Sequence, residues 1–167
     1  MPEFAEILGA GAVRQVIDVR TAPRSRTNPQ YNADVLGEEL APWEVVYDRI
    51  AGLGGLRGKS RDVPPEVNGY WENQSFHNYA DYALSPAFDA ALDELITRAA
   101  TVPTAIMCSE AVWWRCHRRI IADYLLSRGL TVLHLMGGGR IDPATLTPAA
   151  EERDGHLVYP APESRSA

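Results

Sequence analysis

Apolar residues recur in this chain with two periods that take turns along its length, and the alternation predicts helices and strands in succession. Phe4, Ile7 and Leu8 share one face of a short opening helix. Residues 13–19 then form an apolar run that predicts a buried strand closing on Asp18-Val-Arg20. The polar stretch 21–31, with its two prolines, predicts a long loop, and Asn32 has the side chain to cap a helix running to Glu39 or Leu40. Glu44-Val-Val-Tyr47 predicts a second strand. In residues 52–59 the four glycines demand a backbone freedom that no helix uses, so a loop is expected there. Residues 60–82 are polar and aromatic without a clear period and too long for a simple connector, which makes them the expected lid or substrate wall.

The clearest element comes next. Ser85 is the expected cap and Pro86 the first helical residue, and Phe88, Ala91, Leu92, Leu95, Ile96 and Ala99 make one stripe. Residues 104–108 predict a third strand, and 116–128 a helix with Ile120, Ile121, Tyr124 and Leu125 inward and Gly129 as terminator. Residues 131–135 predict another strand, and Leu157-Val-Tyr159 a last short one. Strands separated by helices imply an α/β fold of three layers, a mostly parallel sheet with helices on both faces. One domain over residues 1–160 is expected, with 161–167 as a flexible tail. Ligands of such sheets bind beyond the carboxyl ends of the strands, where Asp18, Arg20 and Cys108 fall.

Composition narrows the classes of function. At 167 residues with 46% hydrophobic content the chain can bury a core without a metal or disulfide, and a formal charge of −6 argues against bulk attraction to nucleic acid or anionic membrane. A local nucleic-acid contact stays open. Cys108 and Cys116, without an apolar leader, read as intracellular thiols, so a cytoplasmic location and no membrane association are expected.

Several motifs in order resemble the domain-of-unknown-function 488 family: Ile17-Asp-Val-Arg20, Pro23-Arg-Ser25, Leu53-Gly-Gly55, Met107-Cys-Ser-Glu110 and Arg115-Cys-His-Arg118. Tyr79-Ala-Asp-Tyr82 and the strand at 131–135 also look like the family's pattern. The resemblance implies a three-layer α/β domain and supplies no reaction. Family members usually open with a strand carrying a Gly-His-Ser-like segment, and this chain is expected to start at the helix after it.

The segment from Cys108 to Arg118 concentrates the candidate chemistry. Cys108 at a strand end before a helix is placed for thiol activation by backbone N–H groups and the helix dipole, against the bland alternative of a small core residue. Glu110 and His117 are the candidate proton-transfer groups, with capping or charge pairing as the alternative. A phosphatase-like or sulfurtransferase-like loop would close on an arginine sooner than Arg115, which counts against both. Cys-x7-Cys-His is not a familiar zinc spacing, so a structural metal site at Cys108, Glu110, Cys116 and His117 is a lesser alternative. The glycine-rich loop lacks the Gly-Lys-Ser/Thr ending of a nucleotide P-loop and is expected to bring Arg57 and its neighbours toward the site. His134, inside a strand, reads as structural.

Basic residues cluster in three segments of an acidic chain. The expectation is therefore an enzyme-like pocket for an anionic, phosphate- or nucleotide-like small molecule, with Cys108, Glu110 and His117 as catalytic residues. Asp18, Arg20, Arg24, Ser25, Arg115 and Arg118 are the expected binding residues, with no cofactor. The same arginines pairing with Asp18 and Glu110 to hold loops is the structural alternative, and a non-catalytic nucleotide or nucleic-acid binding module the functional one.

Overall fold

The computed structural model describes residues 1–110 and 112–162; Ala111 and residues 163–167 of the expected tail lie outside the described residues. Its central element is a parallel sheet of three strands in the order β2 (Val46–Arg49), β1 (Gln15–Asp18), β3 (Thr104–Met107). Gln15 faces Val46 on one side and Thr104 on the other, and Asp18 faces Arg49 and Met107. The middle strand comes from the most apolar run because it is screened by neighbours on both edges. Around the sheet lie α1 (Pro2–Ala10), α2 (Ala33–Leu40), α3 (Gln74–Tyr82), α4 (Pro86–Ala99) and α5 (Arg118–Ser127). Two antiparallel hairpins complete the described residues: β4 (Leu133–Gly137) with β5 (Arg140–Pro143), and β6 (Glu151–Arg153) with β7 (His156–Val158). No helix among them is long and apolar enough to cross a membrane.

Successive side chains of β1 enter different clusters, as the pleat of a strand requires. Ile17 and Val19 pack with Phe88 and Leu92 of α4 and Ile120 and Tyr124 of α5. Val16 packs with Leu8 of α1, Leu36 and Leu40 of α2, and Met107. Helix α4 begins as expected, with the Phe88 amide donating to Ser85 Oγ at 3.3 Å and Pro86 in the first turn.

Three expectations are corrected. Asn32 precedes α2 but does not cap it with its side chain; Oδ1 instead accepts the Ser25 amide at 2.6 Å and closes the loop. The second strand begins at Val46 because Glu44 takes a left-handed conformation, φ 59°, that interrupts an extended chain. The strand expected at 131–135 lies at 133–137 and joins a hairpin, not the parallel sheet. Gly138 and Gly139, with φ of 60° and 79°, supply the two left-handed residues of its tight turn. Part of the segment 60–82 enters the core: Tyr79 and Ala80 of α3 are fully buried, and buried Asn68 donates to Asp81 at 2.7 Å, while residues 64–66 and 72–75 stay exposed.

A buried ion pair ends β1. Asp18 is wholly buried, and Arg20 Nε and Nη2 donate to its oxygens at 2.9 and 2.7 Å. Tyr47 donates to Asp18 at 2.5 Å, and Arg20 Nη2 also donates to the Tyr31 carbonyl at 2.6 Å. The pair thus fastens the 21–31 loop to the sheet. Burial, and then the hydrogen bond to Asp18, push the Tyr47 hydroxyl up to about 12. Replacing Asp18 by Asn leaves a buried guanidinium without its counter-charge, so D18N should lose about 3–5 kcal/mol in urea unfolding. A loss under about 1 kcal/mol would show that the pair is not needed to hold the fold.

Candidate functional site

The strand–helix junction after β3 brings both cysteines of the chain together. Cys108 follows the last residue of β3, and a single 3-10 turn, Trp113–Arg115, leads to Cys116 just before α5. That turn is held from outside by Trp113, whose ring stacks on His134 of β4 at 4.1 Å and 2°. Burial, and then the charge of Arg118, lower the pKa of His134, which favours the neutral ring in this stack. The two sulfurs lie 2.7 Å apart, within reach of one shared proton.

Cys116 is the more polarised sulfur. It is 5% exposed, and besides Cys108 it meets His117 Nδ1, the Arg118 amide and Arg118 Nε, each at 3.4 Å. The Cys108 hydrogen bond first, then His117 and Arg118, lower the Cys116 thiol pKa although burial opposes this. Cys108 shifts the opposite way: its hydrogen bond to Cys116, burial and the neighbouring sulfur's charge all favour the protonated form. In the neutral range the pair therefore holds one proton, mostly on Cys108. Helix α5 starts at Arg118, so its amides and dipole act on Cys116, not on Cys108 as expected from sequence.

His117 is fixed by three neighbours. Its Nε2 donates to the Val19 carbonyl at 2.8 Å, which leaves Nδ1 facing Cys116, and Tyr79 lies 4.9 Å from the ring. The third is a glycine: a Cβ on Gly55 would overlap the imidazole, and one on Gly54 would come within 2.8 Å of Thr21 Oγ1. The loop is braced by Tyr79 and Tyr82, which donate to the carbonyls of Leu53 and Gly52 at 2.9 and 2.6 Å. Arg57 does not approach the thiols through this loop. It donates to the Gly54 and Ala51 carbonyls and lies over the Tyr82 ring, 3.8 Å from its centroid.

The candidate residues divide accordingly. Cys108, Glu110, His117 and Arg118 meet at the junction, though Glu110 contributes backbone: its amide donates to Cys108 at 3.3 Å and its carbonyl accepts Arg118 Nη2 at 2.6 Å. Arg115 is exposed on the connecting turn. Asp18 and Arg20 are spent on each other, and the hydrogen bonds of Ser25 run to Asn32 and Asn28 while Arg24 is exposed. The first strand reaches the site through Val19. Sequence reasoning assigned Cys116 only to a metal and did not find Val19 or Gly55; the cysteine spacing and the Leu53-Gly-Gly55 motif were the available signals. Among the described residues no group of three or more His, Cys, Asp or Glu side chains is arranged to hold a metal ion.

A family model described as Domain of unknown function DUF488 matches residues 1–125, and the chain belongs to that family. The match spans the sheet, the glycine loop and the whole thiol junction. No curated protein and no solved structure matches the chain.

Gly55→Ala should destabilise the protein by about 1–3 kcal/mol through overpacking against His117. Gly58→Ala, where an added Cβ meets nothing within 4 Å, should change stability by less than about 0.5 kcal/mol. Equal effects in thermal unfolding would remove His117 as the reason for a glycine.

Proposed function

We propose that this chain is an enzyme whose reaction centre is the Cys108–Cys116 pair, acting on a small anionic compound of phosphate- or nucleotide-like charge. Cys108, the more exposed sulfur, is the nucleophile. Cys116 takes the Cys108 proton as the new bond forms, and the Glu110 amide stabilises the charge passing onto Cys108. His117 and Arg118 hold the negative charge on Cys116 in the resting state. Arg115 and the outward side of Arg118 attract the substrate's anionic group, with Arg24 and Ser25 as further candidates on the loop after β1. Asp18 and Arg20 act as positioning residues that keep this loop and Val19 in place. The observation that carries the reading is the 2.7 Å contact between the sulfurs, with three further donor or acceptor atoms aimed at one of them.

The wider setting follows the same lines. Residues from both α1–α2 and α4–α5 join clusters around β1, which supports a three-layer arrangement with helices on both faces. Leu157 and Tyr159 belong to the same cluster as Ile17, which supports one domain over residues 1–160. A pair of free thiols suits a reducing, cytoplasmic environment.

The pH dependence of alkylation tests the reading. An isolated thiol reacts about tenfold faster for each pH unit below its pKa near 8.5. Cys116, whose pKa is lowered by the Cys108 hydrogen bond and then by His117 and Arg118, is the sulfur that gives up its proton first, and Cys108 keeps the one proton of the pair. Iodoacetamide should therefore modify Cys108 at a nearly constant rate from about pH 6 to about pH 8, falling only as acid protonates Cys116. In Cys116→Ser the steep rise with pH should return. A steep rise in the unaltered protein, or an unreactive Cys108, would end the nucleophile proposal.

A further inference from the structure

We propose that Cys108 and Cys116 exchange between a dithiol and an intramolecular disulfide, and that the substrate class of the site is a small organic disulfide. The inference rests on the thiol reading above and adds the reaction.

The reason lies in the kind of base that the site uses. For attack on an acyl or phosphoryl group, a carboxylate or imidazole would accept the proton equally well, and a second sulfur would bring nothing further. Glu110 and His117 are both at the junction, yet the Glu110 carboxyl is exposed and His117 Nδ1 faces Cys116. The group in contact with Cys108 Sγ is another sulfur, 2.7 Å away. Any sulfur substituent placed on Cys108 is then exposed at once to displacement by Cys116. The burial of the two residues assigns their order. Cys108 is partly exposed and can meet a substrate, whereas Cys116 at 5% exposure reaches chiefly Cys108. The chain has two cysteines, so a disulfide within it has one pairing.

Cys108 attacks one sulfur of the substrate disulfide, its proton passes to Cys116, and the first substrate half leaves as a thiolate. Cys116 then attacks Cys108 Sγ, breaks the mixed disulfide and releases the second half. The single proton of the starting pair passes from Cys116 to a departing substrate sulfur before the second attack and leaves with one of the two product thiols. Two electrons move from the protein thiols to the substrate sulfurs. The reverse sequence, with two molecules of a small thiol as reductant, restores the dithiol.

The anionic groups proposed to be drawn in by Arg115 and Arg118 set a preference within this class. The opposing charge at the mouth is the exposed Glu110 carboxylate, so the preference should be moderate.

Intact-mass measurement after acid quench tests the proposal on the reduced full chain treated with dithiodiglycolate, a dianionic disulfide. The expected product has lost two hydrogens, carries no adduct, links Cys108 to Cys116 in its peptide map, and appears with two equivalents of released thiol. Cys116→Ser should stop at a mixed disulfide on Cys108 with one equivalent released, and Cys108→Ser should react at least about tenfold more slowly. Dithiodiglycolate should outpace the dicationic cystamine severalfold, relative to the same ratio for free dithiothreitol, and Arg115→Ala should shrink that preference. Equal relative rates would overturn the anionic preference. A stable adduct on Cys108 of the unaltered protein, or no reaction while alkylation keeps its flat pH profile, would overturn the disulfide reaction and leave the nucleophile intact. Loss of the flat profile would instead remove both. The mass of the unaltered protein decides the matter even if Cys116→Ser does not fold.

Discussion

The hydrogen bond from His117 Nε2 to the Val19 carbonyl, 2.8 Å long, is the constraint on which the thiol junction depends. It ties the start of α5 to the end of the central strand, across 98 residues of chain. Because a carbonyl can only accept, the bond leaves Nδ1 as the ring nitrogen that faces Cys116. The imidazole must pass close to the loop backbone to reach Val19, and Gly55 provides the space. Tyr79 supports both parties, with its ring beside His117 and its hydroxyl donating to Leu53. Strand end, glycine loop, α3 and α5 therefore meet at one ring.

The electrostatic character of the junction follows from that geometry. A buried thiol would ordinarily resist ionisation, since burial penalises the charged form. At Cys116 this penalty is outweighed by the thiol of Cys108, by His117, and by the charge of Arg118. The same contacts make Cys108 the proton donor. An acidic protein thus sets the Arg118 guanidinium beside a sulfur anion, while Asp18 neutralises Arg20 at the end of the neighbouring strand. The buried ion pair and the thiol pair have separate tasks: the first fixes the loop after β1, the second carries the reactive charge.

The hairpin of β4 and β5 shows how an element outside the parallel sheet can serve the site. Its His134 offers a flat face to Trp113, which fixes the turn between the cysteines. Arg119, one residue further into α5 than Arg118, lies 5.0 Å from the Trp71 ring centroid and donates to Thr147 at 3.2 Å. Two successive arginines at a helix start thus point to different tasks, one to the sulfur and one to the core and the chain that follows.

Periodicity and capping made much of the architecture legible in the sequence. The apolar run of β1, the Ser85-Pro86 start of α4 and the inward face of α5 are properties of local segments, and local segments can be read from their own residues. The segment from Cys108 to Arg118 was legible as the candidate site for the same reason, as a strand end followed by a helix start. Partnership between distant residues was not. Asn32 turned from its helix to Ser25, the strand at 133–137 paired with its own hairpin, and Arg20 was taken up by Asp18, each because a neighbour competed for the group. Residues 60–82 showed no period because their side chains answer to several surroundings at once, with Asn68 and Asp81 paired inside the protein and Tyr79 against His117. The sequence alone determined that two thiols, a histidine and several arginines stand close along the chain. Only the tertiary structure decided that Cys116 carries the charge and Cys108 the proton, because ionisation depends on which groups surround each sulfur in space, and those are set by packing rather than by spacing.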